Sequence, residues 1–255
     1  ANHIIQNKDF FFKIQIFFKD YNICLSGGTV TAANSEKYLF SDYSVIREND
    51  KISAISVNEN FKIIYNFITD GNYLKIKTEI INISDKSIKI DKIDVFGYIK
   101  SDTFKKFDRI MVTGDTMINL EGVLPLEKNY TSTAFIALTE KFGNGAFLAG
   151  FTDNRKTYYY INNNRENNSL CCFAIRDNVP LKSSETLLLS DFIIGFDKSL
   201  NNLLEDYADF MANECKAIIP KKLETGWCSW YYFYSYETEK DIIESTIMLK
   251  NSSIG

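Results

Sequence analysis

The sequence predicts a mostly β protein: a large antiparallel β-sandwich, followed by one helix and a single β-loop-α unit. Three observations lead to this fold class. Up to about residue 196, apolar residues recur at every second position in many short runs. Gly, Asn, Asp and Ser separate those runs, and the apolar period changes to three or four residues only after Phe196. Many short strands with a large store of aromatic side chains indicate stacked sheets rather than alternating strands and helices.

The predicted strands begin near the N-terminus. In the first run the apolar residues fall on one face: Phe10, Phe12, Ile14, Ile16 and Phe18. Residues 61–67 and 74–80 repeat this pattern on either side of Asp70-Gly71, which tolerates the positive φ of a tight turn and so predicts a β-hairpin. Further strand-like runs lie at residues 88–99, 134–138, 146–151, 157–161, 170–175 and 186–196.

An amphipathic helix is predicted directly after the last strand run. Its apolar residues recur at helical spacing: Leu200, Leu203, Leu204, Tyr207, Phe210 and Met211. Asp197 or Ser199 is available as the N-cap, and Pro220 lies beyond the helix end. We expect this helix to form part of a linker over residues 197–223.

The last segment reads as one β-loop-α unit. Residues 226–233 predict a strand and the loop that leaves it, and Thr238 to Asp241 open a helix with a pattern like a capping box. The apolar side of this helix comprises Ile242, Ile243, Ile247 and Leu249, and residues 251–253 end it. A single unit of this kind has no parallel neighbours, so we expect either a fragment of a longer protein or completion by another chain.

Charge and hydropathy argue against two classes of partner. The chain has 29 basic and 33 acidic residues, a formal charge of −4, and no basic run of the kind that nucleic-acid binding needs. The apolar stretch at residues 10–18 is too short to span a membrane and is interrupted by Lys13 and Gln15. We therefore expect neither nucleic acid nor a membrane as a partner.

Cysteine and histidine usage limits the chemistry. The five cysteines form no CxxC pair, which predicts free, mostly buried thiols in a reducing compartment and hence a cytoplasmic protein. His3 is the single histidine, which argues against Ser-His-Asp, Cys-His and His-rich zinc chemistry. No metal or other cofactor is expected, and any hydrolase chemistry must use carboxylates.

One motif resembles a known family. Residues 226–233 read GWCSWYYF and are followed by Thr238-Glu239 and an Asp-Ile-Ile helix start. This closely resembles the opening of the catalytic barrel in the α-galactosidases of glycoside hydrolase family 36 and in related raffinose-synthase-like enzymes. The likeness extends back through residues 204–208 (LEDYA) and 190–192 (SDF), which are similar to the segment that joins sandwich to barrel in that family. Before about residue 185 the resemblance is one of architecture only.

The resemblance implies a division of the chain into three parts. Residues 1–196 would form an antiparallel β-supersandwich, and residues 197–223 a linker helix and linker. Residues 224–255 would then supply the first strand and helix of an incomplete (β/α)8 barrel.

By the same resemblance, Trp230 and Tyr231 line a sugar pocket at the C-terminal mouth of the first barrel strand, where barrel enzymes keep their chemistry. A flat indole face packs against the apolar C–H face of a hexose, and the tyrosine hydroxyl can bond to sugar hydroxyls. The alternative is that both residues are core aromatics. Trp227, Cys228 and Ser229 are expected to pack.

The activity implied is retaining hydrolysis of terminal α-galactosides such as melibiose or raffinose. Two aspartates about 5 to 5.5 Å apart serve that mechanism. The resemblance places both on later barrel strands and the paired galactose-binding aspartates just past Gly255, so no catalytic residue is expected here and the fragment should be inactive. Glu237, Glu239 and Asp241 are instead assigned to the positive end of a helix dipole. The nearest candidate for the family's lid stretch, residues 112–117, has no aromatic residue.

Two other functions remain open. The chain could be a non-catalytic carbohydrate-binding or assembly module, which exposed aromatics arrayed on one sheet face would favour. It could also belong to a galactosyltransferase like raffinose synthase. In each case the expected partner is an oligosaccharide, and a homo-oligomer is left open.

Overall fold

The computed structural model describes residues 3–7, 13–18, 21–48, 51–114, 122–143, 145–155, 157–218, 220–221 and 228–252. The first ten strands are β1 (His3–Asn7), β2 (Lys13–Phe18), β3 (Tyr21–Ser26), β4 (Thr29–Ala32), β5 (Lys37–Leu39), β6 (Tyr43–Glu48), β7 (Lys51–Val57), β8 (Phe61–Asp70), β9 (Tyr73–Asn82) and β10 (Ile88–Lys100). The next nine are β11 (Arg109–Val112), β12 (Gly122–Pro125), β13 (Thr131–Thr133), β14 (Phe135–Thr139), β15 (Ala146–Phe151), β16 (Tyr158–Asn164), β17 (Ser169–Leu181), β18 (Thr186–Leu188) and β19 (Phe192–Asp197). The α-helices are α1 (Leu200–Cys215), α2 (Trp230–Phe233) and α3 (Glu239–Lys250).

These strands form two antiparallel sheets. Sheet A has the strand order β1-β2-β3-β10-β17-β16-β13, with β4 and β5 added beside β10. Sheet B has the order β12-β11-β14-β15-β19-β9-β8-β7-β6, with β18 paired to β9. The mostly β fold predicted from the sequence is confirmed as an antiparallel β-sandwich with few helices.

The predicted hairpin is formed by β8 and β9. Asp70 pairs with Tyr73 across a two-residue turn, and Gly71 has a φ of +55°, a conformation that glycine adopts without steric cost. On β8, alternate side chains are buried, with Phe61, Ile63 and Tyr65 inaccessible to solvent. The alternating pattern in the sequence therefore corresponds to one strand face on the core.

The core lies between the two sheets. Tyr65 of β8 in sheet B is fully buried, and its hydroxyl donates to the carbonyl oxygen of Val95 on β10 in sheet A at 2.7 Å. Its ring stacks on Phe96 of β10 with centroids 5.3 Å apart. Phe96 in turn contacts Phe192 of β19 at 5.5 Å between centroids. Aromatic side chains thus connect the sheets, as the aromatic content of the sequence predicts.

Helix α1 packs on the outer face of sheet B. Leu203 and Tyr207 are buried there in a second apolar cluster that includes Leu148 of β15. The approach is close, since a Cβ added to Gly150 would meet the Tyr207 ring at 2.8 Å. Of the two N-cap candidates, Ser199 is the cap, because its side chain accepts a bond from the Asn202 amide. The helix predicted within the linker thereby has a defined packing partner.

The single run predicted at residues 186–196 forms two strands, β18 and β19. Both pair with β9, and the bend between them contains Asp191, which is buried. An Asp191 carboxylate oxygen lies 2.7 Å from the ammonium nitrogen of Lys75 and 3.8 Å from that of Lys77. The buried charge is therefore compensated by lysines of β9.

The chain forms two compact units, Ala1–Ala217 and Ile218–Gly255. The second unit contains α2 and α3. Helix α3 begins with the predicted capping box between Thr238 and Asp241 and ends at Asn251, as the sequence predicts. Among the described residues, none of the helices is both long enough and apolar enough to cross a membrane.

The prediction for the cysteines is correct in one respect and wrong in another. All five are free thiols. Only Cys172 is buried, whereas Cys24, Cys171 and Cys215 are half-buried and Cys228 is exposed. Cys24 and Cys171 lie on strands and point away from the core, where a strand side chain reaches solvent. Cys228, which is expected to pack, is exposed in the second unit.

Candidate carbohydrate-binding site

The candidate site lies in the second unit, where α2 follows Cys228 and Ser229. The carbonyl oxygen of Ser229 accepts hydrogen bonds from the amides of Tyr232 and Phe233, both at 3.0 Å. Residues 230–233 therefore form one helical turn within the segment predicted as a strand and its exit loop. The preceding residues 222–227, including Trp227 and most of the predicted strand, lie outside the described residues.

The two predicted site residues are both exposed. The relative accessible surface is 55% for residue Trp230 and 82% for residue Tyr231. Three further aromatics of this segment are exposed as well: Tyr232, Tyr234 and Tyr236. Large aromatic side chains usually lose most of their accessible surface on folding. Trp230 and Tyr231 are thus surface aromatics within the described part of this unit.

A backbone reversal at Tyr234 brings a second ring to Trp230. Tyr234 has φ +51° and ψ −130°, a conformation that costs about 1 to 3 kcal/mol in a residue with a Cβ. Its ring meets the Trp230 indole edge-on, with centroids 5.8 Å apart and planes 71° apart. The Tyr234 amide donates to the Trp230 carbonyl oxygen and closes the turn. The indole is held by this contact while more than half of the accessible surface of Trp230 stays open.

The three acidic residues that follow have different environments. Asp241 accepts bonds from the Thr238 hydroxyl and amide, and these bonds lower the pKa of its carboxyl. Glu239 lies in the first turn of α3, so both residues serve the helix N-terminus as predicted. Glu237 precedes the N-cap, and its Oε1 is shielded from solvent without a hydrogen-bond partner among the described residues. Glu237, which the sequence assigns to the positive end of the helix dipole, ends the 3-10 turn Tyr234–Tyr236 directly before the N-cap of α3.

The stretch considered for a lid is only partly described. Thr113 follows β11 and is fixed by its amide, which donates to the Ser132 hydroxyl at 2.8 Å, and by its carbonyl, which accepts from the Thr133 amide at 2.9 Å. Residues 115–117 lie outside the described residues. The described part of this stretch is attached to the sandwich rather than free.

Exposed aromatic side chains arrayed on one sheet face would favour a carbohydrate-binding module, and the outer face of sheet A carries three aromatic residues. Tyr158, Tyr160 and Phe173 lie there on neighbouring strands. The rings of Tyr160 and Phe173 are stacked at 5.3 Å between centroids, and the Lys92 ammonium nitrogen lies 4.2 Å from the Phe173 centroid. Because β17 lies between β16 and β10, these two contacts cover opposite faces of Phe173. The aromatics form a packed stack and leave only Tyr158 broadly exposed, so no flat platform exists on this face among the described residues.

The described residues contain no candidate metal centre. Within the described ranges, no three His, Cys, Asp or Glu side chains come close enough together to hold a metal ion.

Comparison with known proteins identifies the fold. No protein-family model matches the sequence. A family 36 α-galactosidase from Geobacillus stearothermophilus, a variant of AgaA solved in complex with raffinose, superimposes with a TM-score of 0.51 at 11% identity over 93% of this chain and 40% of that chain. The α-galactosidase from Lactobacillus brevis gives a TM-score of 0.50 at 12% identity over 88% of this chain and 36% of that chain.

At these identities the likeness shows a shared fold. The chain is a β-sandwich protein of the architecture found in part of those α-galactosidases. It spans 30% to 40% of the length of the α-galactosidase chains that it matches.

Proposed function

We propose that this chain is the N-terminal part of a retaining α-galactosidase that hydrolyses terminal α-galactosides of the melibiose and raffinose type. The observation that carries the proposal is the exposed pair Trp230 and Tyr231, which follows a sandwich of the α-galactosidase kind. In this proposal the second unit is the start of a (β/α)8 barrel, and the pair forms one wall of its sugar pocket.

The exposed indole suits the apolar face of a pyranose. Galactose presents a patch of C–H groups on one ring face, and burying such a patch against an aromatic ring is favourable through dispersion and the hydrophobic effect. The Tyr234 ring supports the indole from one side, which limits the rotamers it loses when the sugar binds. Tyr231 would add a hydroxyl that donates to or accepts from a sugar hydroxyl.

The proposed division of labour leaves the bond cleavage to residues outside these 255. A retaining mechanism needs a nucleophilic carboxylate and an acid-base carboxylate about 5 to 5.5 Å apart across the glycosidic bond. Glu237 is the single acidic residue of the aromatic segment, residues 230–237. Its Oε1 atom is shielded from solvent and has no hydrogen-bond partner among the described residues. We expect the 255-residue chain alone to show no turnover of a nitrophenyl α-galactoside, and the full-length protein to show it.

The proposal predicts a kinetic effect of Trp230→Ala in the full-length protein. Losing the indole removes the stacking surface for galactose, so kcat/KM on a nitrophenyl α-galactoside should fall by about tenfold or more, which corresponds to about 1.4 kcal/mol or more. Steady-state kinetics at fixed pH measure this effect.

Tyr232→Ala is the matched control, because Tyr232 is an exposed aromatic of the same helical turn that the proposal does not place in the pocket. Its kcat/KM should stay within about twofold of the unsubstituted protein. Unchanged kinetics for Trp230→Ala would remove the indole from the pocket. Equal losses in both variants would indicate a general disturbance of the turn.

A further inference from the structure

A polar cavity lies on the outer face of sheet A, away from the aromatic segment in sequence. It has a volume of about 330 Å³ and is formed by four separate parts of the chain. Strand β3, the end of β10, the 3-10 turn after it and the turn between β16 and β17 contribute the lining residues: Asn22, Cys24, Tyr98, Lys100, Ser101, Asp102, Lys105, Asn167 and Asn168. Its size is at the lower end of the range of small-molecule sites, about 300 to 1,000 Å³.

The hydrogen-bond acceptors of the asparagine turn are already engaged. The Asn167 Oδ1 atom accepts from the Ser169 hydroxyl. The Asn168 Oδ1 atom accepts from an Arg165 guanidinium nitrogen at 2.9 Å. Each side-chain amide therefore has its NH₂ group left for another partner. This turn therefore has side-chain hydrogen-bond donors without a partner beside the cavity.

The cations at the cavity are incompletely neutralised. Lys105 pairs with Asp102 at 3.2 Å. Lys100 has no carboxylate partner within the described part of the chain. The Lys100 ammonium nitrogen instead lies 4.9 Å from the Tyr98 ring centroid. The acidic Glu166 of the same turn does not line the cavity. A bound anion would meet uncompensated positive charge here.

Tyr98 gives the cavity a partly apolar wall, while its hydroxyl oxygen is buried. Burial, followed by the neighbouring Cys24 thiol, raises the pKa of Tyr98 to about 12. The phenol therefore keeps its proton at neutral pH. An aromatic ring, two amide donors and an unpaired ammonium group together match a molecule with a ring and an anionic substituent better than a simple ion.

We propose that this cavity binds a monosaccharide that carries an anionic group, either a sugar phosphate or a hexuronic acid. The Lys100 ammonium and the amides of Asn167 and Asn168 bind the anionic group. The Tyr98 side chain contacts the sugar ring. The site belongs to the sandwich alone and does not depend on the proposed hydrolase activity.

Isothermal titration calorimetry of the 255-residue protein with glucose 6-phosphate, glucuronate and neutral glucose tests this proposal. At least one anionic sugar should bind with a Kd at least tenfold lower than that of glucose, and the affinity should fall as salt rises. Binding of only one of the two anionic sugars identifies the group recognised. Absence of binding by both, or equal affinity for glucose, would overturn the proposal.

Two substitutions separate a built site from surface attraction. Lys100→Met keeps the length of the side chain and should weaken binding of the anionic sugar by about tenfold or more. Asn168→Gly removes the amide while glycine retains the positive φ that Asn168 has, 48°. The Asn168→Gly variant should weaken binding by about as much as Lys100→Met. It also keeps the proposal testable if Lys100→Met does not fold.

Lys62→Met is the matched control, since Lys62 is a half-buried lysine on the outer face of sheet B without an ion-pair partner among the described residues. The Lys62→Met variant should bind the anionic sugar with the same Kd as the unsubstituted protein. If Lys100→Met and Asn168→Gly, shown to be folded by circular dichroism, both bind as tightly as the control, the cavity is not the site.

Discussion

Replacing Tyr65 by alanine is expected to lower the free energy of unfolding by about 3 to 5 kcal/mol, the range typical of deleting a buried aromatic ring. Tyr65 has no solvent exposure and contacts Phe96 on the opposite sheet. It also tilts against Phe67 on its own strand, with centroids 6.4 Å apart. Deletion therefore opens a cavity where the two sheets meet, which the rigid β framework closes only in part. Urea unfolding followed by circular dichroism measures the loss.

Tyr65→Phe separates the contribution of the ring to the free energy of unfolding from that of the hydroxyl. The hydroxyl donates to the Val95 carbonyl oxygen, and burial keeps the pKa of Tyr65 well above its ordinary value, so the donor persists at neutral and moderately alkaline pH. Phenylalanine keeps the packing and loses one hydrogen bond, for a cost of about 1 kcal/mol. The exposed Tyr158 serves as control, and Tyr158→Ala should cost less than about 0.5 kcal/mol. A loss below about 1 kcal/mol for Tyr65→Ala would contradict this description of the core.

Tyr207→Ala should weaken the packing of helix α1 on sheet B, at a cost of about 3 kcal/mol or more. The Tyr207 ring contacts Phe135 at 5.2 Å between centroids and lies against Gly150, and its hydroxyl donates to the Phe151 carbonyl oxygen at 2.5 Å. Alanine removes all three contacts and leaves the helix on the sheet through Leu203 and the contacts of Tyr73 with Phe210 and Asp206. Amide hydrogen exchange should show α1 losing protection well before the strands do.

Asp209→Ala provides the comparison for Tyr207→Ala, because Asp209 lies on the exposed side of the same helix. It should leave the exchange rates of α1 and the unfolding transition close to those of the unsubstituted protein. Full retention of α1 protection in Tyr207→Ala would show that the helix is held by other contacts.

Strands with regular alternation could be predicted from the sequence, and strands with small or polar inward residues could not. The β8–β9 hairpin has large apolar residues at every second position and a glycine at its turn. In β7 the inward positions include Ala54 and Ser56, and in β13 the fully buried inward residue is Ser132. A buried serine reads as a surface residue in a hydropathy pattern. Such strands are recognised only through their partners.

Strand length also limits the prediction of strands from the sequence. Strands β4 and β5 contain four and three residues, too few for a period of two to stand out. The run at residues 186–196 shows the opposite problem, since it is apolar along most of its length yet bends at Asp191 into two strands. The carboxylate is placed by Lys75 on β9, far away in sequence.

Of the two candidate binding regions, one could be predicted from the sequence and the other could not. Trp230 and Tyr231 are neighbours in one motif, so their assignment could be made from the sequence, and it stays a prediction. The single helical turn around them was not predicted, because aromatic residues are weak helix formers. The polar cavity on sheet A draws on four segments between Asn22 and Asn168 and has no linear signature.

The most direct test of the proposed function is a crystal structure of the full-length protein with galactose bound. We expect a galactose ring stacked on the Trp230 indole, with heavy atoms within about 4.5 Å, and a sugar hydroxyl bonded to Tyr231. A galactose bound in a catalytic pocket that neither Trp230 nor Tyr231 contacts would contradict it.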